Sequence, residues 1–180
     1  MVSELLHLIQ VIYGLHKRKT GAGADVSCQP HFYPELFSFC QIKQATAEKK
    51  GLKLVVRTRG NPSIQAERAH LQSLWSNLIS NAIKYSPDGG LIRVGGGVEE
   101  GEVQVYVSDE GVGIPATEQE RIFDRFYRAE NGGRANEESS GLGLAIVRRI
   151  LDLHGSRITV RSAPDQGTRF EFDIPVRAAA

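Results

Sequence analysis

At 180 residues and 41% apolar content, the chain has material for one sizeable core, so one domain with a short appendage is expected. Its formal charge of +1, from 22 basic and 21 acidic residues well mixed along the sequence, offers neither a basic block for nucleic acid nor an acidic solvating tail. Cys28 and Cys40 cannot build a disulfide framework, which fits a reducing cytoplasm, and no apolar run approaches the ~18 residues that a membrane span requires.

The first ten residues lack a basic leader and a small-residue cleavage site, so they do not read as a signal peptide. Leu5, Leu6, Leu8, Ile9, Val11, Ile12 and Leu15 recur at helical spacing, and Lys17 to Ala24 then breaks the pattern with charge and glycine. A lone amphipathic helix wants a partner, so residues 1–17 belong in a larger bundle and 18–33 read as linker and domain entry. Pro34 to Lys49 predicts a helix with proline in its first turn, and Leu52 to Val56 a strand. Arg68 to Tyr85 is the clearest helix. Strands follow at Leu91 to Val94 and, in strict alternation, at Val103 to Val107. The polar, glycine-containing stretch Glu130 to Ser140 precedes a helix from Leu142 to His154. Strands at Ile158 to Val160 and Phe170 to Ile174 close a domain spanning 34–176, and 177–180 read as a frayed tail. Such an order predicts an α/β two-layer sandwich, with one layer of helices on one face of a mixed sheet.

Three segments carry chemistry. On the helix around Asn77, the residues Leu71, Leu74, Trp75, Leu78 and Ala82 form an apolar stripe, and Asn77, Asn81, Lys84 and Tyr85 fall on an adjoining one. Two carboxamides, an ammonium and a phenol ring could hold a metal, phosphates and an aromatic base; a solvated polar face is the plainer alternative. In Val107-Ser-Asp-Glu-Gly-Val-Gly-Ile-Pro, an alternating strand ends in Asp109, with Gly111 and Gly113 behind it. A carboxylate there can accept a hydrogen bond from an exocyclic amine and so tell adenine from guanine, although an Asp-Glu-Gly turn alone is commonly just a turn. In Ser139-Ser-Gly-Leu-Gly-Leu-Ala-Ile, small residues lead straight into an amphipathic helix, whose N–H groups and positive end make a phosphate site. A serine-capped helix start is the ordinary alternative.

The order of these segments decides between the readings. Together with Arg121-Ile-Phe-Asp-Arg-Phe-Tyr-Arg and Gly167-Thr-Arg-Phe, the series resembles the asparagine, phenylalanine and glycine boxes of sensor histidine kinases, over Pro34 to Pro175. The resemblance implies the Bergerat ATP-binding fold shared with gyrase-type ATPases and a heat-shock chaperone. It implies ATP and Mg²⁺ as cofactors, with Asn81 as the Mg²⁺ ligand and Asn77 beside it. It also implies Lys84 near the phosphates, Tyr85 on the ribose and adenine side, and Asp109 as the adenine-reading carboxylate over a floor shaped by Gly111 and Gly113. Arg128 is similar to a residue that reaches the terminal phosphates. Gly141, Leu142, Gly143 and Leu144 wrap the triphosphate in this picture, and Ile114, Phe126, Ser140 and Thr168 complete the nucleotide contacts. Glu130 to Ser140 corresponds to the ATP lid. Ser139 departs from the family, which commonly has glycine there.

The kinase family phosphorylates a histidine inside a His-Glu or His-Asp pair on a dimerisation hairpin. His7, His16, His31, His70 and His154 are followed by Leu, Lys, Phe, Leu and Gly, so none fits. His154, near a helix end, reads as a capping or core hydrogen-bonding residue. Residues 1–17 resemble the end of the hairpin's second helix. The expectation is a catalytic half, inactive alone, whose partners are ATP or ADP, its own dimerisation domain and a response regulator. The resemblance implies a cytoplasmic domain, compatible with an inner-membrane anchor elsewhere in the full-length protein, and no nucleic acid or membrane contact by this segment. A degenerate nucleotide sensor, against which the retained Asn81, Lys84, Asp109 and Gly-Leu-Gly-Leu argue, and a serine kinase of the anti-sigma-factor type with the same fold stand as alternatives.

Overall fold

In the computed structural model, residues 32–60, 62, 64, 66–130 and 139–175 are described. The opening helix expected at Leu5 to Leu15, nearly all of the linker behind it, residues 131–138 of the polar stretch and the tail at 177–180 lie outside them. Helix α1 (Phe32–Lys49) starts slightly before its expected bound, which puts Pro34 inside the first turn, where no intrahelical N–H bond is lost. Leu52 N–H closes the helix by reaching back to the Ala47 carbonyl at 3.0 Å, and strand β1 (Lys53–Thr58) follows.

Helix α2 (Arg68–Tyr85) has the span its periodicity predicts. Leu71, Leu74, Trp75, Leu78 and Ala82 are all buried, joined by Ile79 and Ile83. The helix packs against α1, against α3 (Gly143–Leu153) and against the sheet. Its C-terminal end is held by Lys50, whose Nζ donates to the carbonyls of Ile83, Lys84 and Ser86 at 3.0, 3.3 and 2.9 Å. A cation at that end satisfies orphan carbonyls and meets the negative pole of the helix dipole.

Strands β2 (Leu91–Glu99), β3 (Glu102–Asp109), β4 (Ile158–Ser162) and β5 (Thr168–Pro175) join β1 in the order β1-β2-β3-β5-β4. The β1–β2 pair is parallel and the other pairs are antiparallel, so the sheet is mixed. Alternation sets Val103, Val105 and Val107 opposite Ile174, Phe172 and Phe170, all buried in the core. A mixed sheet with a helical layer is the two-layer arrangement expected from the sequence.

One strand outruns its sequence pattern. Glycine disfavours strands, so the pattern of β2 stops at Val94, yet the strand continues through Gly95-Gly96-Gly97 to Glu99. Packing explains the difference. A Cβ on Gly95 would lie 2.6 Å from the Tyr106 ring and from the Arg57 carbonyl, and the Arg169 guanidinium stacks over that ring at 3.9 Å. The glycine is the gap into which the tyrosine fits.

Trp75 is fully buried, with its ring 6.0 Å from that of Phe172. Trp75→Ala is expected to lower unfolding stability by about 3–5 kcal/mol, as for other buried aromatics. Urea unfolding measures it, and an unchanged midpoint would contradict the central place of this side chain.

Candidate functional site

The polar stripe of α2 runs beside its buried stripe and faces a cavity of about 560 Å³. Asn77, Asn81, Lys84 and Tyr85 line it from α2, Asp109 from the end of β3, and Gly113 and Ile114 from the segment behind. Arg128, Ser140, Gly141, Gly143, Leu144 and Thr168 complete the sequence-predicted part of the wall. Three predicted residues do not line it. Gly111 is buried behind Asp109, Leu142 enters the hydrophobic core, and Phe126 is 68% exposed. Phe126 nevertheless ties the phenylalanine segment to the glycine loop, since its N–H donates to the Gly141 carbonyl at 2.8 Å.

Asn77 and Gly143 show how closely two of the segments meet. Asn77 Nδ2 donates to the Ser73 carbonyl at 2.8 Å, which fixes the carboxamide. A Cβ on Gly143 would stand 2.8 Å from Asn77 Oδ1, so any larger residue there would have to displace the Asn77 carboxamide from its bond to Ser73. No side chain caps α3, whose N-cap residue is Leu142. Ser140 Oγ accepts the Leu142 N–H at 3.3 Å, one residue ahead of the helix, and the first intrahelical bond runs from Ile146 N–H to the Leu142 carbonyl. The serine-capped start therefore does not form. The N–H groups of Gly143, Leu144 and Ala145 precede any intrahelical bonding at the positive pole of the helix, beside the cavity.

Asp109 is more than a turn residue. The β3–β5 register sets it opposite Thr168, and its Oδ1 accepts the N–H groups of Gly111 at 2.9 Å and Thr168 at 3.2 Å. Burial raises its pKa to about 6, against the opposing pull of those two bonds. With Oδ1 engaged twice, Oδ2 is the oxygen left for a ligand. Gly113, with φ +68°, turns the chain so closely past Ala163 that a Cβ would overlap that residue's carbonyl.

The sequence reading missed part of the wall. Ser73 and Ser80 lie four and three residues from Asn77, and Ser76 three and four from those two serines, so helical spacing could have found them. Tyr127 also lines the cavity. Ser139, read only as a departure from glycine, has its Oγ 2.7 Å from Lys84 Nζ. His154, by contrast, sits at the C-cap of α3 with Nδ1 at 2.7 Å from the Ile150 carbonyl, and does not line the cavity.

The donor set suits a hard cation bound mainly through phosphate and water, because the carboxamides of Asn77 and Asn81 offer oxygen ligands. No cluster of three His, Cys, Asp or Glu that could hold a metal by itself occurs among the described residues.

Residues 66–178 match the family of histidine kinase-, DNA gyrase B- and HSP90-like ATPases. The chain belongs to this ATPase family. An uncharacterized sensor-like histidine kinase of Rhizobium meliloti is 31% identical over 179 residues, which is 98% of this chain and 34% of that protein. The sensor histidine kinase WalK of Bacillus subtilis is 37% identical over 116 residues, 63% of this chain and 19% of WalK. Full-length ShkA, solved in complex with AMPPNP, superposes with a TM-score of 0.78 at 25% identity over 99% of this chain and 36% of ShkA. The ATPase-family chain thus spans 34% or less of the two curated relatives.

The buried carboxylate has a measurable consequence. The folded carboxyl of Asp109 titrates near 6, above the usual carboxylate value of about 4, so the native chain binds more protons than the unfolded chain in between. Its contribution to stability is therefore best below that window and falls as pH rises through it. Asp109→Asn, measured without nucleotide, should exceed the parent in stability at pH 8 by up to roughly 2–3 kcal/mol and lose that advantage near pH 4. Urea titrations at the two pH values test this, and a variant less stable than the parent at pH 8 contradicts it.

Proposed function

We propose that the chain is the ATP-binding catalytic domain of a two-component sensor histidine kinase, which transfers the γ-phosphate of ATP to a histidine on a dimerisation domain. The observation that carries the reading is the half-engaged, buried Asp109 carboxylate in the same cavity as the uncapped start of α3. One feature reads a base and the other holds phosphates. Relatives named as sensor histidine kinases and the AMPPNP bound to ShkA support the same assignment over a serine kinase or a degenerate sensor. In this reading residues 34–176 are the catalytic domain, 18–33 its entry, and 1–17 the end of the hairpin's second helix. The dimerisation domain and a response regulator are its partners. No helix among the described residues is long and apolar enough to cross a membrane.

In the mechanism, Asp109 Oδ2 accepts the exocyclic N–H of adenine, where guanine would present a carbonyl oxygen. The N–H groups at the start of α3 hold phosphate oxygens, and Lys84 and Arg128 neutralise the charge that develops on the transferred group. Mg²⁺ bound with the nucleotide supplies further charge neutralisation, with Asn81 as its protein ligand and Asn77 beside it. The acceptor imidazole attacks the γ-phosphorus while the bond to the ADP oxygen breaks. The protein's part is positioning and electrostatics.

Calorimetric titration with ATP and GTP, with and without Mg²⁺, tests the reading. ATP should bind better than GTP, and Asp109→Asn should lose about 1.5–3 kcal/mol of ATP affinity, the worth of a charge-assisted hydrogen bond. Asn81→Ala should abolish the Mg²⁺ dependence. Equal affinity for ATP and GTP would refute the base-reading role of Asp109.

Phosphoryl transfer has its own assay. The isolated chain should bind ATP without labelling itself, and should slowly phosphorylate a hairpin from the same kinase added in trans. The rate is low because the roughly millimolar effective concentration of a tethered partner is lost. An acid-labile, base-stable phosphate on the hairpin supports phosphohistidine; strong self-labelling overturns the assignment.

A further inference from the structure

Ser139 stands two residues ahead of Gly141, in the segment that enters α3, and its hydroxyl bridges that segment to α2. Its Oγ lies 2.7 Å from Lys84 Nζ and 3.3 Å from the Tyr85 hydroxyl. All three residues line the cavity. An ammonium only donates, so Ser139 Oγ is the acceptor of the short bond. A lysine side chain has many rotamers, so an ammonium that must be ordered on binding meets a phosphate at an entropic cost that a held one avoids. The position that sets Lys84 is therefore one to which neither the polar stripe of α2 nor the glycine loop alone points.

We propose that Ser139 is a positioning residue for the nucleotide's phosphates: its hydroxyl fixes the Lys84 ammonium beside the loop that leads into α3. The inference rests on the ATP-binding reading above and adds one residue to it. The short bond of Ser139 is to Lys84 and its contact with the Tyr85 hydroxyl is the longer one, so its effect falls mainly on the phosphates.

Calorimetry with Mg²⁺-ATP and with adenosine separates these contributions. Ser139→Ala is expected to weaken ATP binding about tenfold and leave adenosine affinity within about twofold, the loss of one charge-assisted hydrogen bond that orients Lys84. Ser139→Thr, which keeps the hydroxyl, should restore the ATP affinity. In a double-mutant cycle, Ser139→Ala added to Lys84→Ala should cost nothing further, because the serine acts through the lysine. Retained adenosine binding also shows that each variant is folded. Equal losses for adenosine and ATP, additive losses in the cycle, or no rescue by threonine would each overturn the proposal. Failure of the parent chain to bind ATP at all would instead overturn the nucleotide reading beneath it.

Discussion

Trp75 and Asn77 are two positions apart on α2, about 200° around the helix, and each is held by a different part of the molecule. Trp75 is fully enclosed against Phe172 of β5, whereas the Asn77 carboxamide is pinned to the Ser73 carbonyl and faces Gly143 at the start of α3. Turning the helix enough to withdraw Asn77 would strip apolar cover from Trp75, Leu74 and Leu78, each worth on the order of 1.5–3 kcal/mol when buried. Lys50 closes the remaining freedom by gripping the carbonyls at the helix end, next to Lys84 and Tyr85. The orientation of the cavity's polar wall is thus decided in the hydrophobic core.

Sheet register does the same for Asp109. Its pairing with Thr168 is the last of a ladder in which Val103, Val105 and Val107 face Ile174, Phe172 and Phe170. A slip of one residue would turn every one of those side chains to the wrong face, so the apolar pairs fix where the carboxylate stands. The ladder's hydrophobic content exceeds the penalty of the buried acid, which burial alone would push toward neutrality and which two backbone N–H groups hold partly in check. Folding stability tolerates an unfavourable group on the wall of the cavity.

What was legible in the sequence is what depends on period and punctuation. The bounds of α2, the alternation of β3 and the small residues ahead of α3 each follow from local rules and carry the site with them. The continuation of β2 through Gly95 was not legible, because it answers to Tyr106 on the neighbouring strand. Leu142 and Phe126 show a different failure. A motif string does not separate residues that serve through the side chain from those that serve through the backbone. Leu142 buries its side chain and offers its carbonyl to Ile146, and Phe126 exposes its ring while its N–H holds Gly141. Ser139 was visible only as an exception to a pattern, since its partner Lys84 lies 55 residues away in the chain.

The charged groups in the cavity wall divide its labour. Among the described residues of the wall, Asp109 is the one carboxylate, and Lys84 and Arg128 are the basic side chains. Opposite charges in one low-dielectric cavity attract strongly at close range, and an adjacent ammonium would draw a carboxylate's pKa down. Asp109 moves the other way: burial and two backbone bonds account for its shift, and no cation is among the causes. Lys84 donates to the neutral hydroxyl of Ser139. Had Lys84 paired with Asp109, neither group would have been open to the nucleotide contacts proposed for it. Separation of the two, fixed by core packing on one side and by strand register on the other, lets one cavity offer an acceptor and a cation at once.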